Sequence, residues 1–137
     1  MITVQLASRV RALPTAAQVR RWAGAASAKD ALLGIRIVNT AEARTLNRDY
    51  RGRDYATNVL TFAYGGKPLE ADIVLCAQVV AREAREQGKP LAAHYAHLVV
   101  HGVLHALGHD HEKPTEAKRM EALETRILRG LGYPDPY

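Results

Sequence analysis

Residues 101–111 read HGVLHALGHDH, four histidines in eleven positions. His101 and His105 stand four apart. On a helix that spacing puts two imidazoles one turn apart on one face, where both reach the same ion. Gly108 follows, a residue that takes the positive φ needed to reverse the chain. The spacing H-x3-H-x2-G-x2-H then returns a third donor to the pair. His109, Asp110 and His111 compete for that place. His111 is favoured, because two residues past the turn suffice to bring the chain back over the ion. Asp110 is then suited to orienting a ligand from behind. Three neutral imidazoles with one coordination position open make a catalytic zinc site, although imidazole accepts other divalent ions.

Gly102 limits what such an ion does. A metalloprotease of the H-E-x-x-H type carries its general base directly after the first histidine. A glycine there leaves peptide hydrolysis without its base. The open coordination position still activates a water toward an electrophile. A phosphodiester suits it, because its oxygens bind the metal and arginine meets the developing charge. Arg51 and Arg53, in the glycine-containing stretch YRGRDYATN, are the candidates.

All six histidines lie between residues 94 and 111. The segment PLAAHYAHLVVHGVLHAL (90–107) predicts a helix, started by Pro90 and ended at Gly108. His94, His97, His101 and His105 fall on one narrow face of it, and most of the remaining circumference is apolar. Such a helix is buried on nearly every side. Its polar stripe must face a cleft or a partner that satisfies it.

Other elements must hold this helix. ITVQLAS (2–8) and LGIRIVN (33–39) alternate as strands do. Thr15 and Gln18 form a capping box for a helix whose Val19, Trp22, Ala23 and Ala26 recur at helical spacing. Thr40 is expected to cap a short helix, AEARTLNRD, and residues 50–58 to form a loop. NVLTFAY (58–64) and ADIVLC (71–76) read as an antiparallel pair joined by a long connection. AQVVAREAREQGK is a helix stopped at Gly88. The last helix follows Thr115, with Met120, Leu123, Ile127 and Leu131 on one stripe, and ends at Gly132. The expected fold is therefore α+β in a single domain. A small mixed sheet of about four strands is covered by about five helices, with the histidine-bearing helix central.

The chain has 137 residues, and 47% are hydrophobic. No stretch approaches the ~20 apolar residues that span a membrane, and no secretory leader is evident. One cysteine, Cys76, ends an apolar run and is expected to be a buried, inert thiol. These features suggest a cytoplasmic protein. The net charge of +5 is uneven. Residues 1–53 hold ten Lys and Arg against three acids, and residues 54–137 hold nine against eleven. The arginine-rich first part suits a polyanion, although a solvated surface has the same composition.

The chain resembles the YbeY family of bacterial endoribonucleases and ribosomal-RNA maturation factors. HGVLHALGHDH fits the family's H-G-x-L-H-x-x-G-[YH]-D-H throughout. LNRDYRGRDYATNVLTF is similar to its LN-x-x-YRG-x-D-x-x-TNVLSF, and LEADIVLC to its LGDI-x-IC. EQGKPLAAHYAHLVVHG and LGYPDPY also match. Thr61 stands for the usual serine, Ala71 for a glycine, and Ala56 and Ala63 for frequent prolines. The likeness covers most of residues 33–137. It implies that His101, His105 and His111 hold one zinc ion per chain and that Arg51 is the arginine needed for activity. It further implies cleavage of single-stranded RNA, formation of the 3′ end of small-subunit ribosomal RNA, and a part in ribosome quality control. The small ribosomal subunit and its assembly factors are the implied partners. Arg53 and Asn58 are then candidates for substrate binding. His97, one turn before His101, either contacts substrate and shuttles a proton or is a satisfied structural histidine. No general base stands out, which implies slow turnover or activation only on the ribosome. Two competing readings are an assembly factor with a purely structural zinc and a zinc hydrolase of another substrate class such as peptides.

Overall fold

The computed structural model describes residues 1–109 and 112–137. Among them the elements run β1 (Ile2–Leu6), α1 (Ala16–Ala26), β2 (Leu32–Val38), α2 (Thr40–Arg51) and β3 (Val59–Gly65). Then come β4 (Glu70–Cys76), α3 (Ala77–Glu86), α4 (Leu91–Ala106) and α5 (Pro114–Gly130). The sheet has the order β1-β2-β4-β3. β1, β2 and β4 are parallel, and β3 pairs antiparallel with β4 along the edge. This is the expected mixed four-stranded sheet covered by five helices. No helix among the described residues is long and apolar enough to cross a membrane.

Strand alternation divides the core between the two sheet faces. Ala71, Ile73 and Leu75 of β4 join Leu33, Ile35 and Ile37 of β2 beneath α1 and α4. Val74 and Cys76 turn to the other face, with Val38, Leu60 and Ala43 of α2. Cys76 is buried, as expected. The capping box of α1 is present. Gln18 N–H donates to Thr15 Oγ1 at 3.1 Å, and Thr15 N–H donates to Gln18 Oε1 at 2.9 Å. Val19, Trp22, Ala23 and Ala26 are the buried residues of that helix.

Two boundaries differ from expectation. Asn39, not Thr40, is the N-cap residue of α2, and its side chain makes no cap hydrogen bond. Asn39 Oδ1 instead accepts from Ser8 Oγ at 2.6 Å and Gln78 Nε2 at 3.1 Å, which ties the end of β1 to α2 and α3. At its other end α2 runs through Tyr50 and Arg51, residues expected in a loop. Gly52, with φ of 68°, supplies the left-handed stop, its N–H donating to the Arg48 carbonyl at 3.0 Å. Arg51 therefore stands on a helix end, where a cation is also favoured by the helix dipole. In α5 the helix starts one residue before Thr115, with Pro114 in its first turn.

The central helix α4 lies very close to the sheet at Gly102. A Cβ there would meet Ile73 Cγ2 at 2.9 Å and Thr61 Oγ1 at 3.5 Å. The Ile73 methyl sits on a branched stem in a paired strand and has little freedom to yield. Gly102→Ala gains about 1 kcal/mol of helix propensity, while overpacking costs about 1–3 kcal/mol. We expect a net loss of about 1 kcal/mol, visible as a thermal midpoint roughly 4 °C lower. A raised midpoint would contradict the close approach.

Candidate metal centre

The four histidines of the α4 stripe are divided between two carboxylates and a cleft. His94 is 3% exposed, and its Nε2 lies 2.9 Å from Glu83 Oε1 on α3. Burial lowers its pKa, only partly offset by the Glu83 carboxylate. Glu83 also accepts from Asn58 Nδ2 at 3.1 and 3.3 Å. One turn on, His97 Nε2 lies 3.3 Å from the Tyr137 hydroxyl and 3.6 Å from Glu124 Oε2. His101 Nδ1 lies 2.5 Å from Glu124 Oε1. His105 is exposed in the last turn, its ring centroid 6.4 Å from that of His101.

Glu124 is the centre of this arrangement. It is fully buried on α5 between Met120 and Leu128, and the Tyr137 hydroxyl donates to its Oε2. Burial by itself pushes the carboxyl upward. Hydrogen bonds from His101, His97 and Tyr137 outweigh that and hold it at about 2. The Tyr137 phenol is pushed up by burial and by its bond to Glu124. An ionised carboxylate only accepts hydrogen bonds. His101 therefore carries a hydrogen on Nδ1, and in a neutral imidazole so arranged the lone pair is on Nε2. A carboxylate behind an imidazole is the arrangement that fixes the tautomer and raises the basicity of a metal-binding histidine. The donor chemistry thus fits a divalent ion.

His97, His101 and Glu124 also form a cluster of potential metal donors in their own right, with ligand atoms within 4.8 Å of one another. An ion among them would be enclosed. An ion beyond His101 Nε2, toward His105, would face open space.

That space is a cleft of about 510 Å³ between α4, the end of α2 and the start of β3. His101 and His105 line it together with Tyr50, Arg51 and residues 57–62. Arg36, Arg44, Arg48 and Arg82 each pair with a carboxylate. Among the described residues Arg51 and Arg53 do not. Arg53 is not part of the cleft lining; its Nη1 lies 3.4 Å from the Tyr55 hydroxyl. Asn58 is in the lining, but its amide nitrogen donates to Glu83 and its Oδ1 accepts from Val59 N–H at 2.6 Å. His97 is not in the lining.

The turn expected after α4 is present. Gly108 has φ of 98°, and His109 N–H donates to the Leu104 carbonyl at 3.1 Å. His109 is exposed. Asp110 and His111, the expected orienting residue and third ligand, lie outside the described residues. Glu124 and Tyr137 were not singled out in the sequence. A signal for Glu124 exists: it stands four residues from both Met120 and Leu128, so it is a carboxylate inside a buried stripe. At Gly102 a side chain would point at Ile73. The position of a metalloprotease base thus lacks both the residue and the room.

Residues 7–132 match the family model described as "Endoribonuclease YbeY". A protein of that name from Aromatoleum aromaticum is 61% identical over 99% of this chain and 91% of its own length. One from Ralstonia nicotianae is 57% identical over 93% of this chain and 70% of its own. A solution structure of a Thermotoga maritima protein, 21% identical, superposes with a TM-score of 0.62 over 96% of this chain and 92% of that one, a likeness of fold.

Proposed function

The chain belongs to the YbeY family, and from that premise we propose that it is a zinc-dependent endoribonuclease acting on single-stranded RNA. Its role is maturation of small-subunit ribosomal RNA at the 3′ end and ribosome quality control in the cytoplasm. The small ribosomal subunit and its assembly factors are its partners, and a single YbeY-like domain carries the activity. The observation that carries this reading is the convergence on one open cleft of His101, His105 and Arg51, which pairs with no carboxylate among the described residues. Glu124 stands behind the first of these histidines.

His101 through Nε2, His105 and His111 would hold the ion. When bound, it supplies Lewis acidity that polarises phosphoryl oxygens and lowers the pKa of water toward about 7. Arg51 faces the same cleft and offers a planar fork of donors to the non-bridging phosphate oxygens, where charge builds during the displacement. Glu124 keeps His101 in the Nδ1–H tautomer. His97 and Tyr137 act through Glu124, each placing a polar group against its second oxygen. Arg53, exposed beside Tyr55, contributes to holding the RNA backbone.

A second reading takes the enclosed cluster His97, His101 and Glu124 as the ligand set of a structural ion. One experiment separates the two. Protein purified without added metal is analysed for its elements and tested on a defined single-stranded RNA in a nuclease-free preparation. We expect about one zinc per chain, cleavage that stops on chelation and returns with zinc, and no cleavage of generic peptides. His105→Ala should lose both zinc and cleavage. Zinc retained by His105→Ala would favour the enclosed cluster. Intact RNA with zinc-loaded wild-type protein would end the endoribonuclease reading.

A further inference from the structure

Tyr50 leaves 70% of its surface exposed, although it stands in the last turn of α2 beside Arg51. Its ring meets that of Phe62, on β3, at 5.2 Å between centroids and 69° between planes. Both rings line the cleft that holds His101, His105 and Arg51. The contact with Phe62 accounts for the buried edge of Tyr50 but not for the large open face. The other exposed tyrosines differ. Tyr55 is bonded to Arg53, Tyr64 to Asp72 and Tyr137 to Glu124, and none of the three lines the cleft.

We infer that Tyr50 and Phe62 form an aromatic corner that stacks one unpaired nucleobase of the strand being cleaved. This rests on the reading of the cleft as an RNA-cleaving site. The chemistry is that of single-strand binding. Every base presents a π-face, an aromatic ring accepts it without regard to sequence, and adjacent arginine holds the phosphate. Here the phosphate partner is the next residue along the chain, Arg51, which pairs with no carboxylate among the described residues. One nucleotide would thus have its base on Tyr50 and its phosphate at Arg51, facing the two imidazoles. A base inside a duplex is already stacked on both sides and cannot enter the corner. The aromatic pair therefore supplies a physical reason for preferring single strands, with little preference among bases.

The test uses the zinc-loaded protein and an eight-nucleotide single-stranded RNA of adenosines in which 2-aminopurine replaces alternate bases. Emission of that base changes when it stacks, and it is read on mixing, with cleavage followed on the same samples. We expect wild-type protein to change the emission on binding. Tyr50→Ala should bind about tenfold more weakly, with most of the signal lost. Tyr50→Phe, which keeps the ring, should recover the signal. The complementary duplex should bind wild type and Tyr50→Ala alike. If wild type binds and cleaves the strand while Tyr50→Ala matches it in affinity and signal, the aromatic corner is refuted and the cleft reading stands. Failure of wild type to bind the strand at all refutes both. Circular dichroism of Tyr50→Ala, an exposed position, checks that the fold is retained.

Discussion

Replacing Arg51 with alanine lowers the rate of single-stranded RNA cleavage about 10²–10³-fold, the loss expected when one donor to a developing oxyanion is removed. Zinc content stays at the wild-type value, and the thermal midpoint falls by no more than about 4 °C, the small loss of a helix-end charge. The second half of that expectation follows from geometry. Arg51 closes α2 at its C-terminal end, is exposed and makes no ion pair among the described residues, so folding draws on its guanidinium only through the small helix-end charge effect. Its neighbours Arg44 and Arg48 pair with Asp54 and Asp49 instead. Lysine at this position keeps the charge but loses the planar fork, so Arg51→Lys should recover only part of the rate. Initial rates on a defined strand, with elemental analysis and melting of the same preparations, check all three statements. Cleavage unchanged in Arg51→Ala would remove the arginine from the mechanism. If the protein were only an assembly factor, the substitution would have no rate to change.

The second large effect is at Glu124. Glu124→Gln should weaken zinc binding about tenfold and Glu124→Ala about a hundredfold, the range found when the residue behind a metal-binding histidine is lost. Glutamine keeps the volume and one carbonyl acceptor, so it can still receive the His101 Nδ1 hydrogen. It loses the negative charge that makes Nε2 a stronger donor. Alanine also takes from His101, His97 and Tyr137 the acceptor they share, and a polar group left unsatisfied where water cannot reach it costs about 1–3 kcal/mol. A direct readout is the nitrogen chemical shifts of His101 in the metal-free protein. Wild type and Glu124→Gln should show hydrogen on Nδ1, and Glu124→Ala a mixture of tautomers. Zinc competition against a chelating dye gives the affinities. Equal affinities across the series would mean that the carboxylate serves folding alone.

Much of this site was legible in the sequence because it is local. The i, i+4 histidines, the positive-φ glycine and the apolar circumference of α4 are all contained within residues 90–108 and obey helical periodicity. The strand and helix order was legible for the same reason: each element carries its own alternation or stripe. Three things were not. Glu124 acts across 23 positions of sequence, and its stripe reads as apolar if only Met120, Leu123, Ile127 and Leu131 are followed. Arg51 was expected in a loop because YRGRDY has mixed polarity. The end of α2 is exposed, so periodicity gives no signal there, and the boundary is set by Gly52 alone. The division of the histidine stripe between Glu83, Glu124 and the cleft likewise depends on how α3 and α5 flank α4, which no local pattern encodes.

The 2.9 Å gap opposite Gly102 has a mechanical corollary. Only the face of α4 that lacks a side chain fits against Ile73, so turning the helix about its own axis would drive a neighbouring residue into the strand. The azimuth of His101 and His105 is therefore locked to the hydrogen-bonded ladder beneath them. Two donors aim from a stiff mount, so an ion or a substrate meets them at an angle that the sheet sets.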